Sequence, residues 1–304
     1  MSLVERALKK LQEAKQAGSP KTDVRHVATS ALVTPQVSRP AAPRGERPME
    51  PVETTRVVAI DRVALRAMDL LPPVDIERQI NSQYQHIKRP LVASVLARSP
   101  NLGSTPHVIM LASALPGEGK TFTSINLSLS LAVEKDIEIL LVDADVRKPH
   151  VSHIFGVQRE RGLIDLLLDN NLRPSQVILR TDVPGLSILP AGRPMETATE
   201  LLASGRMADV IAQLAAPDGR RIVLLDSPPL LLSTESHALS ASAGQVVLVV
   251  RAEITSKQAV NDAISAIGAN KPVSLILNQT SAPPSSGYYG YGSYGDAAQE
   301  PEAP

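Results

Sequence analysis

The 304-residue chain has no cysteine and no tryptophan, and only two phenylalanines and five tyrosines. Without cysteine, disulfide scaffolds, thiolate metal sites and cysteine nucleophiles are all excluded. With so few aromatics, any core must be built from Leu, Ile, Val and Ala. Net charge is missing too. The 31 Lys and Arg residues balance 31 Asp and Glu, so the chain carries no overall electrostatic footprint for nucleic acid. No apolar run approaches the ~20 residues that cross a bilayer; Ile222–Leu225 and Val246–Val250 are typical of the aliphatic stretches. The opening MSLVERALKK places charges where a secretory leader needs apolar residues. The six histidines show no metal-ligand spacing. A cytoplasmic location is therefore expected, with any membrane association supplied by another molecule.

What is present is an ordinary globular mixture, 43% hydrophobic and 20% charged, long enough for one large domain or two small ones. Residues 1–16 read as an amphipathic docking helix, with Val4, Ala7, Leu8, Leu11 and Ala14 on one stripe. Residues 17–73, with prolines at 20, 35, 40, 43, 48 and 51, read as a mainly disordered linker. The main domain is expected over 74–278. It opens with a helical stretch over 74–97, interrupted near Pro90. Short aliphatic runs at 107–112, 137–142, 186–189, 221–225, 245–250 and 274–277 then alternate with helical segments such as 120–134, 197–215 and 256–268. Strands that are apolar on both faces imply a mostly parallel sheet flanked by helices, an α/β fold. Residues 279–304 form a Gly-, Pro- and Ser-rich tail with no basic residue, expected to be flexible. Four of the five tyrosines lie in it, at Tyr288, Tyr289, Tyr291 and Tyr294.

The strongest chemical signal is ALPGEGKT, Ala114–Thr121, between a strand and a helix. It matches a phosphate-binding loop, GxxxxGK[ST], with Ala114 in place of the first glycine. Gly117 and Gly119 let backbone N–H groups converge on phosphate oxygens, with Pro116 and Glu118 completing the turn. Lys120 is placed to reach the β- and γ-phosphates, and the Thr121 hydroxyl to ligate Mg²⁺. Two further strands end in carboxylates: ILLVDADVRKP carries Asp143 and Asp145, and RIVLLDSPP carries Asp226. Ligands of open α/β sheets bind beyond the carboxyl ends of the strands, so these acids are expected to converge on the loop. Asp226 reads as a water-mediated metal partner and Asp143 as the candidate base, with Asp145 able to share either role. Arg147 and Lys148 could neutralise phosphate or simply be solvated. Tyr84, in a helical stretch, reads as a packing residue.

Together, PGEGKT, LLVDADVRKP and VLLDSPP resemble the bacterial tyrosine kinases of capsule and exopolysaccharide systems. MSLVERALKKL, IKRPL at 87–91 and YYGYGSYG most resemble the exosortase-associated tyrosine autokinases. The likeness covers about residues 1–16 and 74–294. It implies a phosphate-loop NTPase fold and MgATP-dependent phosphorylation of the tail tyrosines, regulating exopolysaccharide polymerisation or export. It implies catalytic roles for Lys120, Asp143 and Asp145, and nucleotide contacts from residues 116–121. Thr121, Asp143, Asp145 and Asp226 would serve the metal. Asn278 matches a position that contacts adenine, although an Asn after a strand is also an ordinary turn residue. The implied partners are a membrane chain-length-determinant (Wzz-like) protein on a separate chain, a tyrosine phosphatase, and further copies of this chain for phosphorylation in trans. Recruitment to the inner face of the membrane would follow. One feature departs from the family. Where it often carries ExxRxxR, this chain reads Ser82, Gln85 and Lys88, followed by Arg89.

Two other functions fit the same motifs. A partitioning-type ATPase switch shares the fold, but such proteins carry a second lysine near the start of the loop, where this chain has Leu115. A non-catalytic nucleotide-binding regulator of a membrane polysaccharide machine would use the tail's charge rather than turnover.

Overall fold

Residues 57–96, 105–215, 220–268 and 271–280 are described by the computed structural model. The expected helix at 1–16, most of the linker and the four tail tyrosines lie outside those residues.

The aliphatic runs become the centre of a seven-stranded sheet. Its strands are β1 (Val108–Ser113), β2 (Glu138–Asp143), β3 (Leu179–Arg180), β4 (Leu186–Leu189), β5 (Arg221–Asp226), β6 (Gln245–Arg251) and β7 (Val273–Asn278), in the order β3-β4-β2-β5-β1-β6-β7. Every pairing is parallel except that of β3 with β4. Side chains alternate between two helical layers. Val108, Met110, Leu140, Val142, Val223, Leu225, Val246 and Leu248 belong to one apolar cluster; Ile109, Leu111, Ile139, Leu141, Ile222, Leu224 and Val247 belong to the other. The expected fold class holds, with aliphatic residues carrying both layers. Tyr84 is the one aromatic among the buried core residues described.

Register matters for the site. β2 and β5 are neighbours, and Asp143 pairs directly with Asp226. Two carboxylates therefore end adjacent strands at one level, roughly 4.8 Å apart along the sheet.

The expected linker ends earlier than its boundary at 73. Val58 forms a bridge to Thr181, and the Ile60 amide donates to Asp182 Oδ1 at 2.9 Å. Helix α1 (Arg62–Ala67) begins at Asp61, whose carboxylate accepts from the amides of Val63 and Ala64. Leu65 and Leu71 are buried. The reason lies in composition: proline dominates up to Pro51, but RVVAIDRVALRAMDLL supplies apolar residues behind an N-capping aspartate. Residues 57–73 thus belong to the folded body.

The following helix, α2 (Glu77–Leu96), is not interrupted at Pro90. Tyr84, Lys88, Leu91 and Val95 form a buried stripe, and that packing holds the helix across the missing N–H. Lys88 sits in this stripe because its ammonium has partners. It donates to the Ser130 carbonyl at 2.9 Å, near the end of helix α3 (Lys120–Leu131), and pairs with Glu134 at 2.7 Å. Ser82, Gln85 and Arg89 are exposed.

Short helices α4 (His150–Ile154) and α5 (Leu163–Leu168), and the edge strand β3, were not expected from the sequence. Helices α6 (Ala198–Leu202) and α7 (Gly205–Leu214) divide the segment expected at 197–215; α8 (Thr234–Ser242) and α9 (Lys257–Ile267) complete the order. Among the described residues, no helix is long and apolar enough to cross a membrane.

Candidate functional site

β1 delivers the chain to the loop at Ala114–Gly119, and α3 begins at Lys120. Gly117 and Gly119 have φ of 78° and 88°, which residues with a Cβ rarely adopt. At Gly119 space forbids a side chain as well, since a Cβ there would lie 2.0 Å from Asn278 Nδ2.

Glu118 is buried and fastens this loop from within. Its Oε2 accepts from the Leu115 amide at 2.8 Å, and its Oε1 accepts from the Thr255 hydroxyl in the loop after β6. Asn278, at the end of β7, donates from Nδ2 to the Glu118 carbonyl at 2.9 Å. The structure therefore gives Asn278 a bracing contact with the loop, while its side chain also lines the adjoining cavity.

Asp226 is the hub of the site. Its Oδ1 accepts from Lys120 Nζ at 3.1 Å and from Ser124 Oγ at 2.8 Å, and its Oδ2 accepts from Thr121 Oγ1 at 3.0 Å. Three groups of α3 are thus tied to the end of β5. A buried carboxylate with this many charged and hydroxyl donors is compensated.

Its neighbour Asp143 is not. The Oδ2 atom accepts from the amide and hydroxyl of Ser152, both at 2.7 Å, while Oδ1 is buried without a partner. Burial pushes its pKa up to about 7, against the two Ser152 bonds, and the nearby charges of Asp226 and Asp145 add to the rise. Burial also raises the pKa of Asp145, countered by the Lys148 amide and Lys120.

A cavity of about 780 Å³ opens above these groups. Residues 116–121, Asp145 and Asn278 line it, and so do Arg147, Lys148, His150 and Glu235. Neither Asp143 nor Asp226 lines it; Asp226 lies behind its wall, bonded to Lys120 and Thr121, which face it. From the N-terminal segment, Asp69 and Leu70 also reach the cavity, a contribution hidden in the sequence by the proline pair that follows. Sequence reasoning also missed Ser124, Ser152, Thr255 and Glu235. Ser124, four residues beyond Lys120 on one helix face, was within reach of a periodicity argument; the others meet the site only through the fold.

Among the described residues, no group of three or more His, Cys, Asp or Glu side chains is arranged to hold a metal by itself. Magnesium bound with a nucleotide does not need such a cage, because phosphates and water supply most of its ligands. Thr121 Oγ1 and the carboxylates of Asp145 and Asp226 fit that kind of shared ion, and the glycine cradle fits the phosphates.

Comparison with known proteins agrees. A family model described as an AAA domain matches residues 106–274. Over 190 residues the chain is 36% identical to the putative tyrosine-protein kinase EpsB of Ralstonia nicotianae, a match covering 62% of this chain and 24% of that protein. Over 186 residues it is 31% identical to the tyrosine-protein kinase YwqD of Bacillus subtilis, covering 60% of this chain and 77% of YwqD. The chain therefore spans about a quarter of the length of EpsB but most of YwqD. Among solved structures, the VpsO kinase domain aligns with a TM-score of 0.52 at 31% identity, covering 65% of this chain and 99% of that domain. The chimerical protein CapA2B2 aligns with a TM-score of 0.56 at 26% identity, covering 73% and 93%. By the phosphate loop, the paired strand-end carboxylates and these matches, the chain belongs to the AAA-domain family and, within it, to the bacterial tyrosine kinases.

Proposed function

We propose that this chain is a MgATP-dependent tyrosine autokinase. It transfers the γ-phosphoryl group to Tyr288, Tyr289, Tyr291 and Tyr294 of its own tail, and so regulates exopolysaccharide polymerisation or export. The observation that carries the reading is the Lys120–Asp226–Thr121 constellation beneath a cavity whose rim includes Asn278, three residues before the tail leaves the described fold.

The chemistry follows from the residues. The loop amides and the start of α3 hold the phosphates. Lys120, resting on Asp226, turns to the β- and γ-phosphates, and Asp226 keeps Thr121 in place. Magnesium, when bound with the nucleotide, supplies charge neutralisation between those phosphates. A tyrosine hydroxyl has a pKa near 10 and is a weak nucleophile at neutral pH. Asp145, facing the cavity with its pKa raised, accepts the hydroxyl proton as the new O–P bond forms and the bond to the ADP oxygen breaks. Asp143, the candidate base of the sequence, does not line the cavity, and the charge of Asp226 adds to the rise at Asp145.

Within this reading the chain works on the cytoplasmic face of the membrane. A chain-length-determinant protein on a separate chain recruits and activates it, neighbouring copies exchange phosphate in trans, and a tyrosine phosphatase resets the tail. The full-length chain incubated with γ-labelled ATP and Mg²⁺ should incorporate label on tyrosine. Lys120→Met should abolish labelling while the chain still folds, and changing all four tail tyrosines to Phe should remove nearly all phosphotyrosine while ATP still binds. Unchanged labelling of a folded Lys120→Met chain, or label chiefly on Ser and Thr, would defeat the proposal.

A further inference from the structure

The cavity has a second wall that the phosphate loop does not use. Lys120 points toward Asp226 on β5, so the transferable end of a bound nucleotide lies on the β5–β2 side of β1. Asn278 and Gln279 line the opposite end of the same cavity. In-line transfer brings the acceptor in opposite the leaving diphosphate, hence from the β2 side. That side is built from the turn after β2, which carries Arg147, and the Pro228–Glu235 segment after β5.

Glu235 is the anchor of this wall. Its carboxylate is buried, yet it accepts from Ser233 Oγ at 2.5 Å and Thr199 Oγ1 at 2.6 Å. Burial alone would raise its pKa, but these hydroxyls and Arg147 outweigh burial and hold it below the usual carboxylate range. The fixed negative charge steers Arg147, whose NH1 lies 3.5 Å from Oε1 and whose side chain is 72% exposed. Short bonds to the hydroxyls satisfy the carboxylate, and the single long bond leaves most guanidinium donors free toward the cavity. Beside them Pro229 and the 67%-exposed Leu232 form an apolar ledge on the cavity. A ledge for a ring beside a cation for phosphate describes an aryl phosphate.

We infer that this wall is the acceptor subsite: the phenol ring lies on Pro229 and Leu232, and Arg147, steered by Glu235, binds a non-bridging oxygen of the phosphoryl group on the acceptor side. The inference rests on the kinase reading above but can fail separately from it. Arg147 touches the substrate, whereas Glu235 is a positioning residue that acts through Arg147.

The test uses the full chain with its four tail tyrosines changed to Phe, and a synthetic SSGYYGYGSYGD peptide as acceptor. Arg147→Gln should lower kcat by about 10²-fold, with the Kd for MgADP within twofold of the parent. Leu232→Ala should raise the KM for peptide about fivefold with kcat nearly constant. Glu235→Gln keeps an acceptor for one hydroxyl, offers the other an N–H to accept from, and removes the charge. It should lower kcat in the parent and have no further effect in the Arg147→Gln chain, a non-additivity that a merely structural role would not give. A second readout needs no turnover: anisotropy of a labelled phosphotyrosine form of the peptide, in MgADP, should show at least about tenfold weaker binding by Arg147→Gln. Absence of transfer by the parent would sink the kinase reading, while the anisotropy would still decide the subsite. Equal phosphopeptide binding by parent and Arg147→Gln, or loss of MgADP affinity in its place, would overturn the inference.

Discussion

Asp143 shows how one buried oxygen changes the behaviour of a site. It shares a level of the sheet with Asp226, yet Asp226 collects three donors and Asp143 has only Ser152. With its folded pKa raised from 3.8 to about 7, the native chain holds a proton between those values that the unfolded chain has released. Stability therefore falls as pH rises through that window and levels off above it. Asp143→Asn removes the titration and keeps an acceptor for Ser152. Thermal melts should place the variant a few degrees higher relative to the parent at pH 8 than at pH 4.5; an equal difference at both values would show that Asp143 does not titrate there. Gly119 fails differently: Gly119→Ala combines a φ of 88° with a Cβ 2.0 Å from Asn278 Nδ2. Its Kd for MgADP should rise at least about tenfold, readable by titration calorimetry. Lys120, Thr121 and Asp226 were legible beforehand because a strand, a loop and a helix start announce themselves locally. Thr255, which holds Glu118, and Ser152, which holds Asp143, were not. Their bonds join residues 137 and nine positions apart, and no spacing rule covers such pairs.

At the level of elements, helix α2 was visible as a periodic stretch but its course was not. Proline read as an interruption, whereas the stripe Tyr84–Lys88–Leu91–Val95 carries the helix through it. Lys88 stands where the family's ExxRxxR motif has its last arginine. Its side chain reaches across to α3, where it meets the Ser130 carbonyl near the end of that helix and Glu134. Glu134 is 40% exposed, so its ion pair is partly screened by water. The bond to the Ser130 carbonyl, aided by the negative end of α3, therefore dominates. Lys88→Met keeps the volume and loses the charge, and should cost about 1–3 kcal/mol in urea unfolding, with little relief from added salt. A loss that disappears at high salt would instead assign the stabilisation to the Glu134 pair. The short edge strand β3 and the helices α4 and α5 were unreadable for a simpler reason: two to six residues hold too little periodicity to signal anything.

On the scale of the whole molecule, the question is which tyrosine can reach which site. β7 ends at Asn278 and lies four strand spacings from β2, about 19 Å across the sheet. Ten residues separate Asn278 from Tyr288, giving a maximum reach of about 33 Å. To enter its own site from the β2 side, that tyrosine must arch over the bound nucleotide with more than half of its maximum reach taken by the span alone, a marked loss of conformational freedom. Tyr294, sixteen residues beyond Asn278, has about 53 Å and no such constraint. A neighbouring molecule's tail meets neither limit. Labelling of Tyr288 and Tyr289 should therefore rise with protein concentration, while Tyr294 alone retains a concentration-independent part. A Lys120→Met chain with an intact tail should accept label on all four tyrosines from a chain whose tail tyrosines are Phe. Mass-spectrometric site mapping over a dilution series reads both outcomes. Tyr288 labelled at a constant rate per molecule on dilution, with no transfer in the mixture, would establish that the tail folds back within its own chain.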